Sequence, residues 1–176
     1  MFLASLLVAL IVPQAKAQVS REYQLKAVFL YNFAQFTQWP TNAFAGPSAP
    51  IVIGVLGPNP FGPSLEDTVR GETVDGRPLV VEFYRRAEEI KTCHILFIGQ
   101  SEIRHMDEIL KSIKGKPVLT VADVDNSLTA RAIIRFVMEN NKIHFRINQD
   151  AARAANLVLS SRLLRVADVA PPRKAP

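Results

Sequence analysis

One cysteine, Cys93, and three scattered histidines, His94, His105 and His144, are the only thiol and imidazole groups in this 176-residue chain. A lone cysteine excludes an intramolecular disulfide, and this Cys/His set has no zinc-ligand spacing. Cys93 stands at the edge of an apolar run, KTCHILFIG, and reads as a small buried hydrophobe. Its neighbour His94 points to the opposite face of the same strand, so the two do not form a thiol–imidazole pair. The dinucleotide fingerprint, the phosphate-binding Gly-Lys-Ser/Thr and the Gly-x-Ser-x-Gly elbow are all absent. Gly54, Gly57 and Gly62 make no fingerprint, and Pro58, Pro60 and Pro63 remove amides that a phosphate needs. Asp123, Asp125 and Ser127 begin like a calcium loop, but Leu128 and Ile134 occupy the glycine and carboxylate positions, which implies a capped turn. No catalytic, metal or cofactor site is therefore expected, and the chain reads as a non-enzyme. The formal charge of +5 comes without a basic helix or an aromatic RNA-type motif. Nucleic acid is thus a poor partner; an acidic protein patch or a membrane surface fits better.

Repeats, low-complexity stretches and membrane-length apolar runs are also missing. Phe2–Val12 is apolar but shorter than the roughly 20 residues a membrane helix needs. With Ala15-Lys16-Ala17 behind it, it predicts a secretory signal peptide over residues 1–17 and export. Residues 18–170 are then one domain, large enough to bury a core, and 171–176 a disordered tail. Ser20–Pro40 predicts an amphipathic helix, with Ser20 as N-cap and Trp39-Pro40 as the stop. At 100° per residue, Leu25, Val28, Phe29, Phe36 and Trp39 fall on one side, the expected core face. Tyr23, Ala27, Leu30 and Ala34 form a second apolar stripe, so the helix is either buried within one domain or also covered by something else.

Beyond a linker at 41–50, strands are expected at Ile51–Leu56, Pro78–Tyr84, His94–Ile98 and Pro117–Ala122. Helices alternate with them at Ser64–Val69, near Ala87–Ile90, and at Glu102–Ile113 capped by Ser101. That alternation predicts an α/β fold with a mostly parallel, Rossmann-like or flavodoxin-like sheet flanked by helices. A C-terminal antiparallel hairpin follows, Arg131–Met138 with Lys142–Asn148, then two short helices, Asp150–Asn156 and Ser160–Asp168. Asn140-Asn141 suits a type I′ turn and sets Phe136 opposite Phe145, Ile134 opposite Ile147, and Met138 opposite Ile143. The other face sets Arg135 opposite Arg146, with Arg131, Lys142 and His144 on the same side. Like charges so placed need an anion between them. Either Asp150, Glu139 or solvent screens them, or the face docks an acidic partner.

The order of motifs resembles the YfiR-like family of exported bacterial proteins. The matching stretches are YQLKAVFLYNFAQFTQWP, IVIGVLGPNPFG, VDGRPLVV, CHILFIG, GKPVLTVAD and the run from IIRFVMENNKIHFRINQD to LLRVA. The resemblance implies a periplasmic, generally dimeric protein that represses a membrane-bound diguanylate cyclase by binding its periplasmic region. Repression lowers cyclic di-GMP and biofilm formation, and a peptidoglycan-associated outer-membrane lipoprotein relieves it. On this reading Tyr23, Leu30 and Ala34 meet a second subunit or target, and Arg131, Arg135, His144 and Arg146 add a cationic docking face. The resemblance also implies a cysteine in the first strand paired with that of the CHILFIG strand; Gly54 stands there instead. Likewise Leu128–Arg131 lacks the paired glycines common before the hairpin. The alternative function is a periplasmic small-molecule sensor or carrier using the crevice beside Gly57–Gly62.

Overall fold

A computed structural model describes residues 20–169. The expected leader (1–17) and tail (171–176) lie outside the described residues. Helices α1 (Arg21–Gln35), α2 (Ser64–Val69), α3 (Met106–Ser112), α4 (Gln149–Ala154) and α5 (Ser161–Val166) flank a mixed sheet. Its strands are β2 (Ile51–Leu56), β3 (Thr73–Val74), β4 (Arg77–Tyr84), β5 (Ile95–Ile98), β6 (Leu119–Ala122), β7 (Ile134–Glu139), β8 (Lys142–Ile147) and β10 (Asp168–Val169). They lie in the order β10-β8-β7-β6-β5-β2-β4-β3. Strands β4, β2, β5, β6 and β7 are parallel to one another. β8 turns back antiparallel on β7, and β10 runs parallel to β8 at the edge. The class is therefore α/β, and the sheet is mixed.

Each central strand is buried on both faces because its side chains alternate between two cores. Ile53, Val55, Ile95, Phe97, Leu119, Val121, Ile134 and Phe136 face α1, α2 and α5. Leu56, Tyr84, Leu96, Ile98 and Ala122 face α3, whose Met106 and Ile109 join Ile103 and Ile113 on the expected apolar side. The start of that helical stretch differs from expectation. Gln100–His105 is a 3-10 turn entered from Gly99, and the Ser101 hydroxyl donates to Glu102 instead of capping amides.

α1 departs from expectation twice. It ends at Gln35, and the chain then extends into β1 (Thr37–Gln38), which pairs with β9 (Val158–Leu159) in a separate two-stranded sheet. Pro40 acts at a distance: it bars Trp39 from helical angles, and β-branched Thr37 favours the extended form. Second, the buried face is rotated toward the other stripe: Phe29, Phe36 and Trp39 of the expected face still pack against the core, but its Leu25 and Val28 do not. Leu25 and Val28 are 48% and 45% exposed, whereas Ala27, Leu30, Phe33 and Ala34 are fully enclosed. Phe33 completes the Leu30 stripe, and Ala27 and Ala34 are small enough for the helix backbone to lie close on the sheet. Phe29 and Phe33 pack on Phe136 and Phe145 at centroid separations of 5.1–5.9 Å.

The hairpin has the expected register, pair for pair, including Arg135 opposite Arg146. Asn140 and Asn141 take φ of 50° and 58°, as a type I′ turn requires.

Candidate functional site

A polar cavity of about 500 Å³ opens between α1, the carboxyl ends of β5 and β6, and the hairpin. Open α/β sheets commonly place ligand sites outside the carboxyl ends of their strands. On the α1 side, Lys26 is only 4% exposed although it is a lysine. It lies on the same helical stripe as Tyr23, Leu30 and Phe33, so packing that stripe carries its ammonium inward. The charge is matched there: Nζ lies 2.5 Å from Glu22 Oε1 and 2.8 Å from Asp123 Oδ1. The Tyr23 hydroxyl donates to Asp123 Oδ2 at 2.8 Å. Burial, followed by that bond and the charge of Asp123, raises the Tyr23 pKa far above its ordinary value of 10.0. The Lys26 ammonium also sits over the rings of Tyr23 and Phe136, 4.8 Å and 5.3 Å from their centroids. A buried ammonium so enclosed is held in one place.

Across the cavity, Asp125 lies between the two facing arginines of the hairpin. Its Oδ1 is 2.8 Å from Arg135 Nη1 and its Oδ2 2.5 Å from Arg146 Nη1. Glu139 adds a contact to Arg146 at 3.3 Å. The required anion is thus mainly Asp125, brought in by the turn after β6. Asp150, one expected screen, instead pairs with Arg153. Asn126, next in the turn, accepts amides of Leu128 and Thr129, so the calcium-like run is a capped turn.

The residues named from sequence are dispersed. Tyr23 and Arg146 line this cavity. Arg135 is nearly buried behind Asp125, His144 is exposed on β8, and Arg131 is exposed and paired with Asp107. Leu30 and Ala34 belong to the core and offer no surface. Sequence reasoning missed Lys26, Asp123 and Asp125. The signal was present: a lysine on an apolar helical stripe must find a carboxylate once that stripe is buried.

A second cavity, of about 600 Å³, lies at the carboxyl ends of β2 and β4 and is lined by Gly57, Pro58, Asn59, Phe83, Tyr84, Arg85 and Glu102. This is the expected crevice beside Gly57–Gly62. Nearby, Gly54 explains what replaces the implied first-strand cysteine. A Cβ at Gly54 would lie 2.5 Å from Tyr84 Cε2 and 2.9 Å from Cys93 Sγ. The Tyr84 ring fills that space, and burial pushes the Cys93 thiol up to about 12. Among the described residues, no group of three or more His, Cys, Asp or Glu side chains is placed to hold a metal, and no helix is long and apolar enough to cross a membrane.

Compared with known proteins, residues 23–168 match the family model described as YfiR/HmsC-like. No curated protein matches the chain.

Proposed function

The chain belongs to the YfiR/HmsC-like family, and from that premise we propose that it is a non-enzymatic periplasmic regulator that represses a membrane-bound diguanylate cyclase. The observation that carries this reading is the extent of the family match, which runs from α1 through the last helix. The mechanism is differential binding. A protein that prefers the inactive state of the cyclase's periplasmic region shifts its equilibrium, with no chemical step of its own. The finer assignments are part of the same proposal: export by the leader at 1–17, action as a homodimer, and release through a peptidoglycan-associated outer-membrane lipoprotein.

The surface offered to the cyclase is the mouth of the polar cavity with the outer face of the hairpin. Tyr23 and Arg146 form its rim, His144 and Arg131 its exposed flank, and Arg135 supports Arg146 from behind through Asp125. Leu30 and Ala34 are withdrawn from this surface by their burial. Deleting the gene and measuring cyclic di-GMP tests the reading. A rise that a plasmid copy reverses is expected, and an unchanged level would remove the repressor role.

The second reading, a periplasmic small-molecule sensor, draws on the cavity beside Gly57 and its aromatic wall of Phe83 and Tyr84. A ligand held there must raise the melting temperature with its concentration, which a thermal-shift screen detects.

A further inference from the structure

Strand β4 has one edge fully used and one largely open. Its inner edge pairs with β2 over six consecutive residues, Leu79–Tyr84, without a bulge. On the outer edge, β3 reaches only Arg77 and Pro78, and the Leu79 amide donates to the Glu72 carbonyl. Backbone groups alternate in direction along a strand, so the amides and carbonyls of Val81 and Phe83 point the same way as that of Leu79. Among the described residues no strand pairs with them on that side. Of the usual protections of a sheet edge, this segment keeps one, the charge of Glu82. Val80-Val81-Glu82-Phe83-Tyr84 contains no proline and no lysine, and Val80 and Phe83 are 37% and 44% exposed.

We propose that this edge is a docking site for an extended segment of a different protein, which adds to the sheet as a further strand. Backbone complementarity selects the form of the occupant, because a row of outward amides and carbonyls is satisfied along its length only by another strand. Charge then selects against a second copy of this chain. Two-fold pairing that uses all of the open residues 80–84 must centre on Glu82, placing that carboxylate opposite its own counterpart. Directly opposed like charges destabilise a strand pair. Glu82 is exposed and steadied by the Tyr84 hydroxyl, which donates to its Oε2 at 2.6 Å. The fitting partner strand therefore carries a lysine or arginine opposite Glu82, with apolar residues on the positions that meet Val81 and Phe83. This surface lies apart from the hairpin face and stands independently of the regulatory reading.

The test uses two blocked synthetic peptides of alternating valine and threonine, one with a central lysine and one with a central glutamate, titrated into isotope-labelled protein. The lysine peptide should shift the Val81 and Phe83 amides and slow their hydrogen exchange. Glu82→Lys should weaken the lysine peptide by about fivefold, the size of one opposed charge pair. The same variant should tighten the glutamate peptide relative to wild type, a gain that misfolding does not produce. Unchanged Val81 and Phe83 amides, or equal affinities of wild type and variant, overturn the proposal. So does protection of those amides that rises with protein concentration without peptide, since a second copy then holds the edge.

Discussion

Two residues decide whether the interior of this protein holds together, one by charge and one by space. Lys26 is enclosed with Asp123 and touched by the partly exposed Glu22, and a buried ion of one sign is tolerated only while its partner remains. Lys26→Met leaves Asp123 buried with only the Tyr23 hydroxyl, and should cost about 3–5 kcal/mol in urea unfolding. Lys26→Met with Asp123→Leu should recover most of that loss, because the double change removes both charges together. Gly54 is the other decisive residue. With Tyr84 Cε2 only 2.5 Å from an added Cβ, Gly54→Ala overfills the site and should cost about 1–3 kcal/mol. In a Tyr84→Leu background the same change should cost less, with the close approach to Cys93 Sγ remaining, so a double-mutant cycle reads the part of the clash that belongs to Tyr84. The Cys93 thiol behind them is buried and raised to about 12, so iodoacetamide at neutral pH should label it only when urea opens the fold.

At the scale of elements, α1 and the linker after it carry the next two expectations. Leu30→Ala should destabilise by about 2–5 kcal/mol, while Leu25→Ser should stay within about 0.5 kcal/mol. Swapping those outcomes would restore the face first read from the sequence. The linker is held by His94, which accepts the Val52 amide at Nδ1 (3.0 Å) and donates from Nε2 to the Ala43 carbonyl (3.2 Å). Phe44 stacks on the imidazole at 4.6 Å. Burial lowers the His94 pKa below 6.5; the bond to Ala43 opposes this and the charge of Arg77 adds to it. Between the native value and 6.5 the unfolded chain binds the proton more readily, so stability rises with pH there. The urea midpoint should hold above about pH 6.5 and fall as the medium is acidified below it. His94→Gln should flatten that fall. The elements themselves were legible because period and punctuation mark them: β2 as a β-branched apolar run, the hairpin through Asn140-Asn141, α1 through Ser20. Which side of α1 is inside was not. That depends on Phe33 and two alanines meeting the sheet, a fit between distant segments. The sequence also shows Lys26 and Asp123 only as separate residues, 97 positions apart.

For the whole molecule, the question is what its positive charge does. Arg135 and Arg146 stand opposite each other, but Asp125 occupies the gap, so most of their field is spent inside the protein. If the hairpin is the docking face for an acidic partner, Asp125 sets how much charge it presents. Asp125→Asn should then have two opposite effects. The fold weakens by about 1–3 kcal/mol, because the nearly buried Arg135 loses its ionic acceptor. Association with the periplasmic region of the cyclase strengthens at low salt and falls more steeply as salt is added, since exposed charges are screened. Arg146→Ser should act the other way, weakening association and flattening the salt dependence. A titration of the two variants against that region separates a docking face from a neutralised one. Only a docking face moves the two affinities in opposite directions; a neutralised one leaves both at the wild-type value while stability alone changes.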